Sequence, residues 1–246
     1  MTKHLTYFVS DIHLGARIGD PARREKDFVK FLKEIDPAQT DTLYLLGDIF
    51  DFWYEYRYVV PKGYTRVLGA LTDLVDAGVK VFFFEGNHDI WTFSYLQELG
   101  LVKLQQPYIT DIGGKRFCLG HGDGLGPGDH VYKFNKWLFT RKLSQRLFSA
   151  LHPWIAFKWA TGWSHRSRTE KPIAHTFRGE DEPLYIYCKE FQAHTPVNHF
   201  IFGHYHCRVD FPVGTARLHI LGDWMTAPNW MVLDTATGKL EARSWH

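Results

Sequence analysis

The stretch HFIFGHYHCRVD, residues 199–210, decides the fold. An apolar run of strand length stops at Gly203, and two histidines follow, His204 and His206, with one residue between them. In an extended chain, side chains two apart share a face, so both imidazoles project the same way. The construction recurs upstream: LTYFV leads into SDIH, TLYLL into GDIFD, KVFFF into EGNHD, and RFCL into GHGD. Each is a short run rich in β-branched or aromatic residues that ends in a polar cluster containing Asp, Asn or His. Uninterrupted apolar runs of this kind suit strands buried on both faces.

Helical stretches separate the first three runs. DPARREKDFVKFLKEI (20–35) offers Asp20 as N-cap, Pro21 in the first turn, and Phe28, Phe31, Leu32 and Ile35 on one face. YTRVLGALTDLVDAG (64–78) aligns Val67, Leu68, Leu71, Leu74 and Val75, then ends in Gly78, a C-cap residue. Strand–helix–strand alternation predicts a largely parallel α/β arrangement, with ligands beyond the carboxyl ends of the strands. All five polar clusters occupy that end, so they converge. The closing segments VDFPV, ARLHILGDW and NWMVLDTATGKLEARSW read as strands joined by turns. They predict a mostly antiparallel second sheet beside the first.

Composition narrows the class. The 246 residues are 45% hydrophobic and 23% charged, with no signature of disorder, and the net charge of +2 suggests no nucleic-acid partner. Cys118, Cys188 and Cys207 show no CxxC spacing, which argues against a thiolate zinc site or a disulfide framework and fits a reducing cytosol. The amino terminus reaches a polar DIH after one short apolar run, unlike a signal peptide. No stretch supplies the roughly 18 consecutive apolar residues of a spanning helix.

Asp11, His13, Asp48, Asn87, His121, His204 and His206 supply carboxylate, amide oxygen and imidazole without sulfur. That donor set suits Mn, Fe, Co or Zn without choosing among them. It is too large for one tetrahedral ion, whereas two ions sharing a carboxylate would use it all. Paired ions can activate a water and stabilise both oxygens of an in-line displacement at phosphorus.

The series Asp11-Ile12-His13, Gly47-Asp48, Gly86-Asn87-His88-Asp89, Gly120-His121 and Gly203-His204-Tyr205-His206 resembles the calcineurin-like metallophosphoesterases across residues 7–206. The resemblance implies a four-layer α/β/β/α sandwich. It implies that Asp11, His13, Asp48 and His206 hold one ion, and that Asp48, Asn87, His121 and His204 hold the other. It also implies that His88 faces the phosphoryl group as charge stabiliser or proton donor, with Asp89 orienting it. An imidazole with an unperturbed pKa of about 6.5 suits that role.

Between His121 and His204 the chain is longer than one crossover needs. Residues 130–169 carry eight Lys or Arg, no Asp or Glu, and four of the nine Trp. Without those eight, 21 basic residues face 27 acidic ones, so the remainder is formally −6. Helical spacing puts Val131, Phe134 and Leu138 on one face and Leu143, Leu147 and Leu151 on another, about half a turn away. This predicts two helices broken near residues 140–142 and a third piece after Pro153. The expectation is one metallophosphoesterase domain, 1–246, with a basic aromatic helical cap inserted at about 128–172.

A basic apolar cap over an acidic site suits a phospholipid-like substrate and contact with anionic lipid. The stretches LGDIFDFW, EGNHDIW and HGDGLGPGDHVYKFNKWLF, with the cap, look like the UDP-2,3-diacylglucosamine diphosphatases. That likeness implies cleavage of a UDP-linked diacyl sugar to UMP and diacylglucosamine 1-phosphate, a step of lipid A synthesis. It implies a Mn-type dinuclear centre and attack of an activated water on the phosphorus nearest uridine. Asp129 and Tyr132 match positions beside the substrate, and Arg166, Arg168 and Lys171 lie where the family contacts the phosphosugar. One departure is His88, where the best-known members carry Arg. The expected setting is cytoplasmic, peripheral on the inner face of the cell membrane, without nucleic acid. The alternatives are a phosphodiesterase for another diester or lipid diphosphate, and a non-catalytic scaffold that keeps the fold.

Overall fold

The computed structural model describes residues 3–170 and 175–245, with side chains for all of them except 161 and 163–170. In chain order the elements are β1 (Leu5–Val9), α1 (Pro21–Glu34), β2 (Thr40–Leu45), α2 (Thr65–Asp76), β3 (Lys80–Phe84), α3 (Tyr95–Glu98), β4 (Val102–Leu104), β5 (Tyr108–Ile112) and β6 (Lys115–Leu119). Then follow α4 (His130–Phe139), α5 (Lys142–Ser149), α6 (Pro153–Glu170), α7 (Pro183–His194), β7 (His199–Phe202), β8 (Val209–Val213), β9 (Ala216–Ile220), β10 (Asn229–Asp234) and β11 (Lys239–Ser244).

Helix α1 starts where its sequence says: the Asp20 carboxylate accepts from the Arg23 backbone N–H at 2.9 Å, and Pro21 is the first helical residue. Strands β1, β2, β3 and β4 run parallel, joined in turn through α1, α2 and α3, in a sheet ordered β11-β10-β1-β2-β3-β4. The second sheet is ordered β5-β6-β7-β9-β8, with parallel pairing of β6, β7 and β9.

Alternation along the strands builds the layers. In β1, Tyr7 and Val9 join Phe28, Phe31 and Leu71 of the helices in one core, while Phe8 points the other way. Phe8 meets Phe117, Leu119 and Ile201 of the opposite sheet, with its ring 6.0 Å from that of Phe117. On the far face of the second sheet, Cys118, Phe200 and Leu218 pack against Leu184, Tyr185 and Cys188 of α7. Helices, sheet, sheet and helix form the four-layer sandwich. The three cysteines are free.

The carboxy-terminal strands divide differently from the expectation of one antiparallel second sheet. β8 and β9 do pair antiparallel there, but β10 pairs antiparallel with β1 and carries β11 on its outer edge. The reason lies in NWMVLD. Trp230 and Val232 face the helix-side core, whereas Met231 and Leu233 face the inter-sheet core. A strand apolar on both faces needs two covered faces, which the position beside β1 provides.

Helices α4, α5 and α6 reproduce the predicted breaks at 140–142 and before Pro153. Phe148 and Ala156 join Tyr54 and Trp91 of the body in a small buried cluster. The Phe148 ring lies 4.6 Å from Trp91 and 4.7 Å from Tyr54. Around it, Trp91 Nε1–H donates to the Phe139 carbonyl at 2.9 Å and Tyr54 O–H to the Gln145 carbonyl at 2.7 Å. Several large apolar side chains of these helices stay exposed: Val131 is 76% exposed, Leu143 69%, Trp154 66% and Trp159 64%.

Candidate metal centre and active site

Five strands, from both sheets, deliver their polar ends to one place, and the backbone there is unusual. Seven non-glycine residues among those described have positive φ, between 45° and 70°. Five of the seven are Asp11, His13, Asp48, His204 and His206. Left-handed backbone costs an L-residue about 1 kcal/mol or more, and such strain gathers where geometry serves a site. The glycines of GD, GN and GH are required by crowding. A Cβ at Gly86 would fall on the Asp48 carboxylate, one at Gly203 on Ser10 Oγ and Asp11 Oδ2, and one at Gly47 on the His121 ring.

Ligand-type atoms of Asp11, His13, Asp48 and His206 all lie within 4.8 Å of one another. His206 Nε2 is 3.3 Å from Asp11 Oδ1, and His13 Nε2 is 3.0 Å from His206 Nε2 and 3.6 Å from Asp48 Oδ2. On the other side of Asp48, His121 Nε2 approaches the same Oδ2 at 3.4 Å and Asn87 Oδ1 at 3.3 Å. The His204 ring centroid is 5.2 Å from that of His121, and its backbone N–H donates to Asp11 Oδ2 at 2.9 Å. Asp48 thus stands between two donor groups.

These groups fit cations on chemical grounds. His121 Nδ1 faces the Leu46 carbonyl at 2.9 Å, and a carbonyl can only accept. The proton therefore sits on Nδ1, and Nε2 turns its lone pair toward the oxygens of Asp48 and Asn87. Lone pair against lone pair repels unless a positive charge intervenes, either a bound cation or, without one, a second proton on Nε2. Asp11 Oδ1, fully buried, accepts no well-formed hydrogen bond, another orphan facing the same space. The ionisation preferences express the same demand. Burial opposes charge on His121, yet the Asp48 carboxylate overrides it and pushes the imidazole up to about 10. Burial would likewise raise Asp48, but His121 and His88 hold it well below the ordinary carboxylate range. Burial and then the His121 charge bring His204 down to about 4, leaving it neutral, as a ligand must be.

Asp89 accepts from backbone N–H groups of two loops. Its Oδ1 accepts from the backbone N–H of Gly86 at 2.8 Å and of Asp48 at 3.2 Å; Oδ2 accepts from Ile49 at 2.8 Å and Phe50 at 3.2 Å. The carboxylate is a clamp between the loops that carry Asp48 and Asn87. Burial and the neighbouring Asp48 charge push it up to about 7. The His88 ring meets Asp51, whose carbonyl accepts from Nδ1 at 3.0 Å and whose Oδ1 lies 3.6 Å from His88 Nδ1 and from His13 Nδ1. Asp51, three residues beyond Asp48 in GDIFD, is a residue sequence reasoning passed over. So is Asp123 in HGDG. Its buried carboxylate accepts from Lys136 Nζ at 2.5 Å, from Gln106 Nε2 at 2.8 Å, and from the Tyr132 hydroxyl. Two residues of α4 are thereby tied to the loop that carries His121.

A cavity of about 1030 Å³ runs from this cluster beneath α4, α5 and α6. Asp51, Asn87 and His88 line its polar end, with Asp129 and Tyr132 also on the wall; Leu138, Leu147 and Leu151 contribute apolar lining. Asp129 is exposed at the start of α4. Arg166 and Arg168 fall in α6 with side chains outside the described residues, and Lys171 lies outside them altogether.

A sequence profile of the calcineurin-like phosphoesterases matches residues 5–208. A UDP-2,3-diacylglucosamine hydrolase of Porphyromonas gingivalis is 38% identical over 257 aligned positions, covering 96% of each chain. A UDP-2,3-diacylglucosamine hydrolase of Neisseria meningitidis serogroup A is 28% identical over 224 positions, covering 89% of each. Among solved structures, an archaeal phosphodiesterase shares the fold, with a TM-score of 0.50 at 13% identity over 98% of this chain and 99% of that one. With a profile match over most of its length and a near full-length relative at 38% identity, the chain belongs to the calcineurin-like phosphoesterase family.

Proposed function

We propose that this protein is a metal-dependent hydrolase that cleaves the pyrophosphate of UDP-2,3-diacylglucosamine to UMP and 2,3-diacylglucosamine 1-phosphate. The observation that carries the reading is the cavity, polar where it meets the histidine–aspartate cluster and apolar under the helices. A substrate with a diphosphate at one end and two acyl chains at the other has the same division. Near full-length likeness to curated hydrolases of this substrate supports it.

Asp11, His13, Asp48 and His206 hold one divalent ion in this reading, and Asp48, Asn87, His121 and His204 the other, with Mn as the preferred metal. Two such ions supply an activated nucleophile and charge neutralisation at phosphorus. His88, whose Nδ1 donates to the Asp51 carbonyl and whose side chain lines the polar end of the cavity, faces the phosphoryl group as charge stabiliser or proton donor. Asp129 and Tyr132, on the cavity wall, stand beside the substrate. Helices α4, α5 and α6 act as a cap over the acyl chains and rest on the anionic inner face of the cell membrane. The exposed cap cations Arg141, Lys142, Arg146 and Lys158 favour that contact. No helix among the described residues is long and apolar enough to cross a membrane.

The test is direct. Mn-loaded protein should release UMP from UDP-2,3-diacylglucosamine in detergent micelles. Cleavage of a different lipid diphosphate with no UMP from this one would overturn the substrate assignment.

A further inference from the structure

The cluster of metal-type donors reaches solvent at two places. One is the cavity beneath the cap, which meets it at Asp51, Asn87 and His88; none of Asp11, His13 and His206 lines that wall. The other is His206, whose side chain is 15% exposed where those of Asp11 and His13 are wholly buried. Two arginines flank this second mouth. Arg208, two residues beyond His206, is exposed and lays its stem across Gly222, where a Cβ would fall 2.8 Å from Arg208 Cγ. Residues 222–224 run beside the donors, since the Trp224 backbone N–H donates to the Asp11 carbonyl at 3.0 Å. Arg17 is exposed in the loop that follows His13. The buried Arg24 holds that loop, donating to the Ala16 carbonyl at 2.6 Å and to the Ile18 carbonyl at 3.0 Å, the peptide groups on either side of Arg17. At Gly19 the same loop comes against 222–226, with a Cβ there 3.8 Å from the Met225 carbonyl. Neither the Arg17 nor the Arg208 guanidinium has a hydrogen-bond, ion-pair or ring partner among the described residues.

From this we infer that the His206 mouth is the nucleotide subsite, where the uridylyl half of the substrate, and afterwards UMP, lies with its phosphate against Arg208 and within the field of Arg17. The inference rests on the substrate reading above. The half that departs occupies the cap cavity, so the half that stays on the attacked phosphorus needs separate room, and the opening at His206 provides it. A guanidinium matches phosphate in shape as well as charge, through a planar fork of N–H donors. Both arginines are held for that task without being consumed by it. Gly222 seats the stem of Arg208 and Arg24 fixes the backbone around Arg17, while their charged ends carry no carboxylate of this chain.

The two products separate the two mouths. Mn-loaded full-length protein is titrated calorimetrically with UMP and, in detergent micelles, with 2,3-diacylglucosamine 1-phosphate. Arg208→Ala should weaken UMP binding about tenfold or more, the worth of one bond to a charged group, and leave the lipid product and the metal content unchanged. Gly222→Ala keeps the charge but displaces the Arg208 stem, so it should weaken UMP and spare the lipid product in the same way. Arg17 acts at longer range, and Arg17→Ala should raise KM for UDP-2,3-diacylglucosamine about threefold with kcat unchanged. Unchanged UMP affinity in both Arg208→Ala and Gly222→Ala would overturn the subsite. An equal loss for UMP and the lipid product would also overturn it, as a general disturbance of the metal centre. Unmodified protein that neither binds UMP nor releases it from the diacyl substrate would instead remove the underlying substrate reading, and the subsite with it.

Discussion

Replacing Asp89 by Asn tests whether this carboxylate is a clamp or a partner of His88. At pH 8, above the value of about 7 to which burial and Asp48 push it, the group is ionised and accepts from four backbone N–H groups. Asparagine keeps one acceptor oxygen and turns an NH₂ toward the other two donors. Two charge-assisted bonds disappear and two buried N–H groups lose their acceptor. At about 1.5–3 kcal/mol for each bond to a charged group, the gross loss is about 3–6 kcal/mol, lowered by relief of the burial and Asp48 repulsion that push the carboxyl up to about 7. For a chain of this size that corresponds to a fall in Tm of about 10 °C. The loops carrying Asp48 and Asn87 also come apart, so bound metal should fall with stability. Thermal and urea unfolding at pH 8, with metal content by plasma mass spectrometry, provide the assay. If Asp89→Asn unfolds within 1 kcal/mol of the unsubstituted protein and loses only kcat, the carboxylate acts on the His88 ring and the clamp argument is wrong.

Three further outcomes follow from the geometry. Asp48→Ala removes the carboxylate lying between the two donor groups. It should abolish turnover and drop metal content well below two ions per chain by elemental analysis. His88→Ala should lower kcat by about 10²–10⁴-fold while metal content stays unchanged, a split that kinetics and elemental analysis read together. Far from the site, burial lowers His219 to about 4 against the opposing pull of Asp210, and its Nε2 faces His199 Nδ1 at 3.1 Å. The unfolded chain protonates this group near its ordinary 6.5 while the folded one does not. Stability should therefore fall as pH drops from about 6.5 toward 4, by up to about 1.4 kcal/mol per unit. His219→Leu should flatten that slope in urea titrations at successive pH values.

The metal-type donors were legible in the chain because strand, glycine and ligand are adjacent in sequence. A run such as HFIF, then Gly203, then His204 and His206, announces both a buried strand and what its end presents. Helix α1 was equally plain from Asp20, Pro21 and the spacing of Phe28, Phe31 and Leu32. The breaks in the cap followed from a change of apolar face between Leu138 and Leu143. These are local periodicities, and local periodicity is what a sequence records.

Other features were decided by partners far away in the chain. Asp89 looked like a companion of its neighbour His88, yet its acceptor atoms meet N–H groups some forty positions earlier. Asp51 and Asp123 are unremarkable letters until folding sets one beside His13 and His88 and the other under Lys136 and Tyr132. The β10 strand was recognisable, but its place beside β1 was not. Its apolar residues point both ways, and sheet assignment depends on which edge has layers on both sides. The cap followed the same division. Composition foretold its basic, aromatic character, while only packing determined that Phe148 turns inward to Tyr54 and Trp91 and Trp154 turns out. Sequence by itself set which groups each strand end could offer. Tertiary structure chose which of them share a dielectric, a hydrogen bond or a wall, because those terms depend on distances through space that no spacing along the chain encodes.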